Sequence, residues 1–258
     1  MSELSALFRR RLDLPVNGTI HFEDLNQVLS RMAKTIPFEN LCIIGGTTSA
    51  ITKEHLVDKI LVRREGGLCY EINPLLYLFL LDNGFDVVLT RGIVYSHQLQ
   101  AYPASGRTHI TILLTHKEQT YIVDSGFGGN LPLLPVPLSG ETVSSSNGEF
   151  RIRRENSEHG DHVLQMKLKH KDTEWKTGYA FYSHTPLTGL LECNDVQTII
   201  AEHPDSPFNK DPLITRLTDR GNITLTHTSF TQWQDGIVTK ENVTPARYKE
   251  LLKRYFGR

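Results

Sequence analysis

The sequence predicts an α+β protein built in three parts, and three observations point to this fold class. Apolar residues recur at helical spacing up to about residue 84, and short β-rich runs separated by turn residues follow over 85–185. Helix and strand signals are mixed over 186–258. We therefore predict parts at 1–84, 85–185 and 186–258, with an antiparallel sheet or barrel in the middle.

The first part is predicted to consist mainly of helices. Leucine and phenylalanine recur at helical spacing in 1–14 and again in 22–32. A further helix is expected over 53–64, with Gly66-Gly67 as its C-terminal cap. The next helix begins at Cys69 and tolerates Pro74, because that proline lies in its opening turn.

The second and third parts alternate strands with turns. Six runs are typical of strands: 87–95, 109–115, 120–124, 150–153, 163–168 and 175–182. Ser144-Ser145-Ser146 is expected to be a loop. The last part is predicted to contain a helix over 196–201, a strand pair joined across His227-Thr228, and a final helix that Thr244 caps.

Composition excludes several classes of protein. Lys and Arg number 28 against 29 Asp and Glu, so the net charge of −1 gives no general attraction to nucleic acid or anionic membranes. No apolar run approaches the roughly 18 residues of a spanning helix. Cys42, Cys69 and Cys193 form no CxxC pair, which favours reduced thiols and no metal site. We expect a cytoplasmic protein with small-molecule partners.

Cys69 is the first candidate for a catalytic residue. It lies between the flexible Gly66-Gly67 turn and the start of an apolar helix. Unpaired N–H groups and the positive end of the helix dipole stabilise an anion at such a position, so the pattern predicts a nucleophilic thiolate. A single cysteine at a helix start is more often a small buried apolar residue, and the interpretation therefore depends on a nearby base.

His109 and Asp124 supply that base and a group to orient it. His109 opens one predicted strand, and Asp124 closes the next. If His116-Lys117 is a two-residue turn, the two residues lie opposite each other with Cβ atoms about 5 Å apart, and a longer loop leaves them diagonal but within reach. Each residue alone has a structural explanation, but their joint occurrence favours a Cys69–His109–Asp124 site.

These motifs resemble those of the arylamine N-acetyltransferase family. Pro37-Phe38-Glu39-Asn40-Leu41 is similar to a motif near that family's N-terminus, and 66–73 (Gly-Gly-Leu-Cys-Tyr-Glu-Ile-Asn) is similar to its cysteine motif. Val123-Asp124-Ser125-Gly126-Phe127-Gly128 resembles its aspartate motif. The resemblance in order, spacing and length covers the whole chain. It is weakest in the last part, where only Ser206-Pro207-Phe208-Asn209 is similar to a family segment.

The resemblance implies an N-terminal helical bundle, a central antiparallel β-barrel and a C-terminal α/β lid, around a papain- or transglutaminase-like cysteine core. It implies a ping-pong reaction in which Cys69 takes an acetyl group from acetyl-CoA and passes it to an aromatic amine or hydrazine, as in xenobiotic metabolism. His109 would exchange the protons, and Asp124 would fix the tautomer of the imidazole.

The resemblance also implies residues that contact the two substrates. The acceptor-binding residues would be Phe38, Thr108 and Phe127, and the CoA-binding residues would be Ser105, Gly106 and Gly128. Ordinary core packing is the alternative for the two phenylalanines. The backbone N–H of Cys69 is expected to donate to the oxyanion.

One position departs from the family pattern. The family usually has arginine immediately before the two glycines, as the partner of the glutamate in its first motif, whereas this chain has Glu65. Two carboxylates buried together would repel each other. We therefore expect Arg64 to reach Glu39 instead and Glu65 to face water.

Two other functions use the same residues. A thiol hydrolase, a transglutaminase-like enzyme or an amide synthase also needs cysteine, histidine and aspartate, and differs in what the pocket admits to the acyl-enzyme. A weakly active member that only binds CoA or an aromatic ligand is the second alternative. The reactivity of Cys69 toward iodoacetamide distinguishes an activated thiol from an ordinary one.

Overall fold

Most helices precede the long strands along the chain, as the apolar periodicity predicts. The computed structural model describes residues 1–258. Its helices are α1 (Glu3–Arg11), α2 (Leu25–Thr35), α3 (Leu41–Ile44), α4 (Lys53–Leu56), α5 (Cys69–Asp82), α6 (Glu192–Glu202) and α7 (Pro245–Phe256). A 3₁₀ turn (Phe22–Asp24) leads into α2, and a π-helical turn (Val57–Val62) continues α4.

Thirteen strands form two antiparallel sheets. They are β1 (Phe38–Glu39), β2 (Asp86–Val94), β3 (His109–His116), β4 (Gln119–Val123), β5 (Val136–Pro137), β6 (Val143–Ser145), β7 (Gly148–Ser157), β8 (Gly160–Leu168), β9 (Lys176–Pro186), β10 (Leu213–Thr218), β11 (Gly221–Thr226), β12 (Ser229–Gln234) and β13 (Ile237–Asn242). The larger sheet has eight strands in the order β5-β4-β3-β2-β9-β8-β7-β6. Val136 of β5 packs with Phe150 and Ile152 of β7, so the sheet curls into a nearly closed barrel. The predicted α+β class and antiparallel barrel are confirmed.

The smaller sheet has five strands in the order β1-β10-β11-β12-β13. The predicted strand pair across His227-Thr228 is the β11–β12 hairpin, and Thr244 caps α7 by accepting a hydrogen bond from the Arg247 N–H. The position of β1 was not predicted. Phe38 pairs with Thr215 of β10, so a short segment of the first motif becomes an edge strand of the C-terminal sheet.

Helix α5 lies at the centre of the largest hydrophobic core. Leu75, Leu76, Phe79 and Leu80 are fully buried, and the ring of Phe79 stacks on Phe8 of α1 at 4.0 Å between centroids. A helix that is apolar on almost every side must be covered all round. The N-terminal helices cover one side of α5, and strands β2 and β3 of the barrel cover another. The first turn of α5 is thereby held against the start of β3.

Two local predictions were wrong. The helix over 53–64 does not end on Gly66-Gly67, because it ends at Val62 and the left-handed residue after it is Arg64, with φ of 60°. The glycines serve close approach instead: a Cβ on Gly66 would clash with the Pro37 carbonyl oxygen, and one on Gly67 would lie 2.7 Å from Glu71 Oε2. The serine segment 144–146 is not simply a loop, since its first two residues belong to β6, which pairs with β7.

The helices are short compared with the thickness of a bilayer. The longest, α5, has 14 residues, whereas about 20 apolar residues are needed to cross the hydrocarbon layer. None of the helices therefore combines the length and the apolarity that a membrane span requires.

Candidate active site

Cys69 is the first residue of α5 and is 5% exposed. The Glu71 carboxylate accepts a hydrogen bond from the Leu68 N–H at 3.1 Å, which caps the helix immediately before the cysteine. The Cys69 thiol approaches the Thr108 carbonyl oxygen at 3.4 Å. The thiol thus lies at the positive end of a capped helix, next to the residue that precedes β3.

His109 and Asp124 meet across the β3–β4 hairpin. The turn is Lys117-Glu118, not His116-Lys117, and both of its residues have positive φ. The paired register ends at Ile112 and Val123, so Asp124 lies diagonal to His109, not opposite it. The side chains nevertheless form a hydrogen bond of 2.7 Å between His109 Nε2 and Asp124 Oδ2.

Asp124 accepts four hydrogen bonds. Its Oδ2 atom accepts from His109 and from the Tyr179 hydroxyl at 2.9 Å, and its Oδ1 atom accepts from Asn73 Nδ2 at 2.9 Å and the Gly126 N–H at 2.8 Å. Burial alone would raise the pKa of Asp124, but His109 and the hydrogen-bond donors hold it below its ordinary value. The carboxylate is therefore charged and its orientation is fixed.

The charge on Asp124 determines the state of His109. Burial lowers the pKa of His109, but the charge and hydrogen bond of Asp124, helped by a hydrogen bond with Cys69, raise it to about 10. Because Nε2 is engaged by Asp124, Nδ1 is the ring nitrogen left to exchange a proton with the thiol. At neutral pH the arrangement favours an imidazolium beside Cys69.

Sequence reasoning missed two residues that hold Asp124. Asn73 lies one helical turn after Cys69, and its amide bridges three elements: it donates to the Ile110 carbonyl at 2.7 Å and to Asp124, and accepts from the Ser125 N–H at 2.8 Å. The i, i+4 spacing from Cys69 was a usable signal. Tyr179 offered none, because it reaches the site only through the pairing of β9 in the barrel.

A cavity of about 520 Å³ opens beside Cys69 and His109. Half of its lining residues are hydrophobic. It is lined by four of the predicted substrate-contact residues: Phe38, Ser105, Thr108 and Phe127. The lining also includes Phe208, from the segment similar to the family in the last part of the chain, and residues that no motif indicated, among them Val94, Leu99 and Ile199.

Gly106 and Gly128 are not part of the cavity lining. Gly106 follows Ser105 in the loop between β2 and β3. Gly128 packs against Phe38, since a Cβ added to Gly128 would lie 3.6 Å from the Phe38 ring. A third glycine, Gly126, touches the nucleophile directly, since an added Cβ would lie 2.7 Å from Cys69 Cα.

The expected Arg64–Glu39 pair does not form. Arg64 is exposed, and the cation near Glu39 is Arg258, whose Nη1 is 3.5 Å from Glu39 Oε1. Nη2 of the same guanidinium is 3.4 Å from Glu65 Oε1, so Glu65 is only partly solvated. Arg64 has a left-handed backbone just after the end of the helix. Arg258, two residues after the end of α7, reaches the carboxylates of Glu39 and Glu65 instead.

Replacing Arg258 with alanine is expected to lower the free energy of unfolding by about 2 kcal/mol, because Glu39 is 1% exposed and would lose its nearest cation. Arg64→Ala should change it by less than about 0.5 kcal/mol, as an exposed substitution does. Chemical denaturation of the two variants beside the unmodified protein measures both effects. The opposite order of stability would contradict the assignment of Arg258.

Comparisons with known proteins agree with this geometry. A family model described as N-acetyltransferase matches residues 21–257. The uncharacterized acetyltransferase YvcN of Bacillus subtilis is 39% identical over 238 residues, which cover 92% of this chain and 91% of that protein. The match therefore spans nearly the whole of both proteins.

Solved structures match over the same extent. Arylamine N-acetyltransferase C from Bacillus anthracis is 40% identical with a TM-score of 0.94, and covers 100% of this chain and 99% of its own. An arylamine N-acetyltransferase from Bacillus cereus is 43% identical with the same TM-score and coverage, and is described as having a Cys-His-Glu triad, whereas the carboxylate here is Asp124.

A more distant relative, from Mycobacterium marinum, was solved in complex with CoA; it is 25% identical with a TM-score of 0.84, over 99% of this chain and 92% of its own. The fold, the motifs and the family model agree over almost the full length of the sequence. This chain belongs to the arylamine N-acetyltransferase family.

Proposed function

We propose that this protein transfers the acetyl group of acetyl-CoA to aromatic amines and hydrazines. The observation that carries the proposal is the contact of Cys69, His109 and Asp124, with Cys69 and His109 at the wall of a cavity whose lining residues are half hydrophobic. The names of the Bacillus relatives support the aromatic amine as acceptor, and the CoA complex of the Mycobacterium marinum protein supports acetyl-CoA as donor.

The geometry suits a ping-pong reaction. In the first half, the thiol proton moves to His109 Nδ1, and Cys69 Sγ attacks the thioester carbonyl carbon. The new carbon–sulfur bond forms as the bond to CoA breaks, and the imidazolium returns its proton to the departing CoA sulfur. In the second half, the amine nitrogen attacks acetyl-Cys69, His109 takes the amine proton, and the Cys69 sulfur leaves.

Asp124 and the helix start have supporting roles in this mechanism. Asp124 keeps a proton on Nε2 of His109, so that Nδ1 faces the thiol. The Cys69 N–H, in the first turn of α5, has no partner within the helix and is proposed to donate to the developing oxyanion. Tyr179 remains a donor to Asp124, because burial and the charge of Asp124 raise its pKa well above the ordinary value.

The cavity is proposed to hold the acceptor between Phe38 and Phe127, with Thr108 beside it. An apolar wall suits an aromatic ring and keeps water from the acetyl-enzyme. Ser105, Gly106 and Gly128 are proposed CoA contacts. Ser105 lines the cavity and Gly106 follows it in the same loop, which supports this assignment for the two residues.

Three broader proposals accompany the activity. Residues 186–258 would form a lid on the parts at 1–84 and 85–185, because Ile199 and Phe208 line the cavity. A cysteine-bearing helix packed on a barrel that carries histidine and aspartate supports a papain- or transglutaminase-like core. The three free cysteines support a cytoplasmic location, where arylamine acetylation would serve xenobiotic metabolism.

Intact-protein mass after mixing with acetyl-CoA alone tests the proposal. We expect the unmodified chain to gain one acetyl group, Cys69→Ala to gain none, and an added aromatic amine to remove the acetyl group from the first. Absence of acetylation in a folded protein would contradict the transferase and favour a ligand-binding protein. Loss of the acetyl group at the same rate with and without amine would identify a thiol hydrolase instead.

A further inference from the structure

The cavity beside Cys69 has few charged groups in its lining. None of its lining residues is lysine or arginine. Its only charged group besides the Cys69–His109 pair is the carboxylate of Asp205, an exposed residue between α6 and β10. An anion that enters this space therefore finds no cation except the His109 imidazolium, which is already paired with Asp124, and it meets the like charge of Asp205.

The one arginine of the adjacent loop, which has no lysine, points elsewhere. Residues 96, 98, 99, 103–105 and 108 of the β2–β3 loop line the cavity, but Arg107 does not. Its guanidinium donates to the carbonyls of His159 at 2.8 Å and Glu158 at 3.2 Å, and lies over the Tyr182 ring at 4.4 Å from the centroid. These contacts hold the charge of Arg107 against the turn between β7 and β8.

We propose that this site selects acceptors without negative charge and rejects aromatic amines that carry a carboxylate, with Asp205 as the residue that sets the selectivity. The inference rests on the proposed function and narrows its substrate class. A carboxylate that leaves water for this cavity exchanges its hydration for neutral donors only, such as Ser96, Gln98 and Ser105, none of which balances its charge. Repulsion from Asp205 adds to this loss, although solvent screens it at the exposed mouth.

Two anilines that differ in charge test the selectivity. 4-Aminobenzoate and 4-aminobenzamide have the same ring and amine, and only the first is an anion at neutral pH. We expect kcat/KM for the amide to exceed that for the carboxylate by at least about tenfold at low salt. The ratio of the two values is the measurement, because it cancels any effect on acetylation of the enzyme.

Variants of Asp205 test the residue itself. Asp205→Asn is expected to lower the ratio about threefold and Asp205→Lys about tenfold, since each step removes repulsion or adds attraction at the mouth. Glu202→Gln is the matched control: it removes an exposed carboxylate at the end of α6, outside the cavity lining, and should leave the ratio unchanged.

The outcomes separate the selectivity from the activity. A ratio near one, with rapid transfer to both anilines, would overturn the proposed selectivity and leave the acetyltransferase intact. An unchanged ratio in both Asp205 variants would overturn the assignment to Asp205. Loss of acetyl to water at a rate that neither aniline alters would instead contradict the proposed function, and this inference with it.

Discussion

Replacing Asp124 with asparagine is expected to lower kcat/KM for acetyl transfer by roughly 10³- to 10⁴-fold, as loss of the orienting carboxylate does in a Ser-His-Asp triad. The reason lies in the four donors around this side chain. Asn73 and Gly126 both donate to Oδ1, so an asparagine would keep its oxygen there and place its NH₂ group toward His109. His109 Nε2 would then have to accept a hydrogen bond.

This change of Nε2 from donor to acceptor favours the wrong tautomer of His109. With Nε2 as acceptor, the neutral imidazole carries its proton on Nδ1, which faces Cys69 and can no longer take the thiol proton. Steady-state kinetics and the rate of Cys69 alkylation measure the loss. Asp161→Asn is the matched control, because Asp161 also contacts a histidine, His162, but lies outside the cavity lining. Equal losses in both variants would contradict the role of Asp124.

The same substitution is expected to alter the pH dependence of stability. Asp124 raises the pKa of His109 to about 10, against an ordinary value of 6.5. Between these values the folded state binds more protons than the unfolded chain, so the free energy of unfolding falls as pH rises. This contribution is complete below about pH 6.5 and lost above about pH 10. Asp124→Asn should make this fall in the free energy of unfolding smaller, and chemical denaturation of both proteins at about pH 6.5 and 9.5 measures it. An equal fall in the two proteins would contradict the prediction.

Replacing Lys59 with methionine should lower the free energy of unfolding by about 3–5 kcal/mol. Lys59 Nζ lies 2.5 Å from Glu71 Oε1, and both side chains are at most 2% exposed. Burial lowers the pKa of Lys59, but the Glu71 charge outweighs this and raises it above its ordinary value. Without the ammonium, the carboxylate that caps α5 is buried without a cation.

The deficit of this variant should depend on pH. Burial raises the pKa of Glu71 even beside Lys59, and removing the lysine raises it further, so the folded variant holds a proton that the unfolded chain releases. Stability of the variant therefore falls as pH rises above about 4.5, and the deficit is larger at pH 8 than at pH 5. Lys53→Met, at an exposed position, is the control. If the loss of unfolding free energy in Lys59→Met did not change with pH, the proposed ionisation of buried Glu71 would be contradicted.

Local patterns made much of the fold and the centre of the site predictable. The hydrophobic periods identified the long helices and most of the barrel strands, because each of these elements buries a regular face. Cys69, His109 and Asp124 could be found because each lies at the end of an element whose boundary has a signal: a glycine turn, a strand start or a strand end. The error in the hairpin turn changed their register but not their contact.

The features that the sequence did not predict are contacts between segments far apart in the sequence, which exist only once the chain has folded. Phe38–Glu39 is too short to carry a strand pattern, and it is a strand only because β10 lies beside it. Arg258 reaches Glu39 across more than two hundred residues of sequence, and no local rule ranks it above the nearer Arg64. Tyr179 likewise contacts Asp124 through strand pairing across the barrel.

The short strand β1 and the residue after it connect the loop before Cys69, strand β10 and the cavity wall. The Glu39 N–H donates to the Gly67 carbonyl at 2.9 Å, and the Asn40 N–H donates to the Leu213 carbonyl at 3.2 Å. Phe38, the first residue of β1, forms part of the cavity wall. Local opening of the C-terminal sheet would therefore release the cavity wall and the loop before Cys69 together. By thermodynamic linkage, an occupied cavity should slow amide hydrogen exchange in β10, a strand that contributes no residue to the lining.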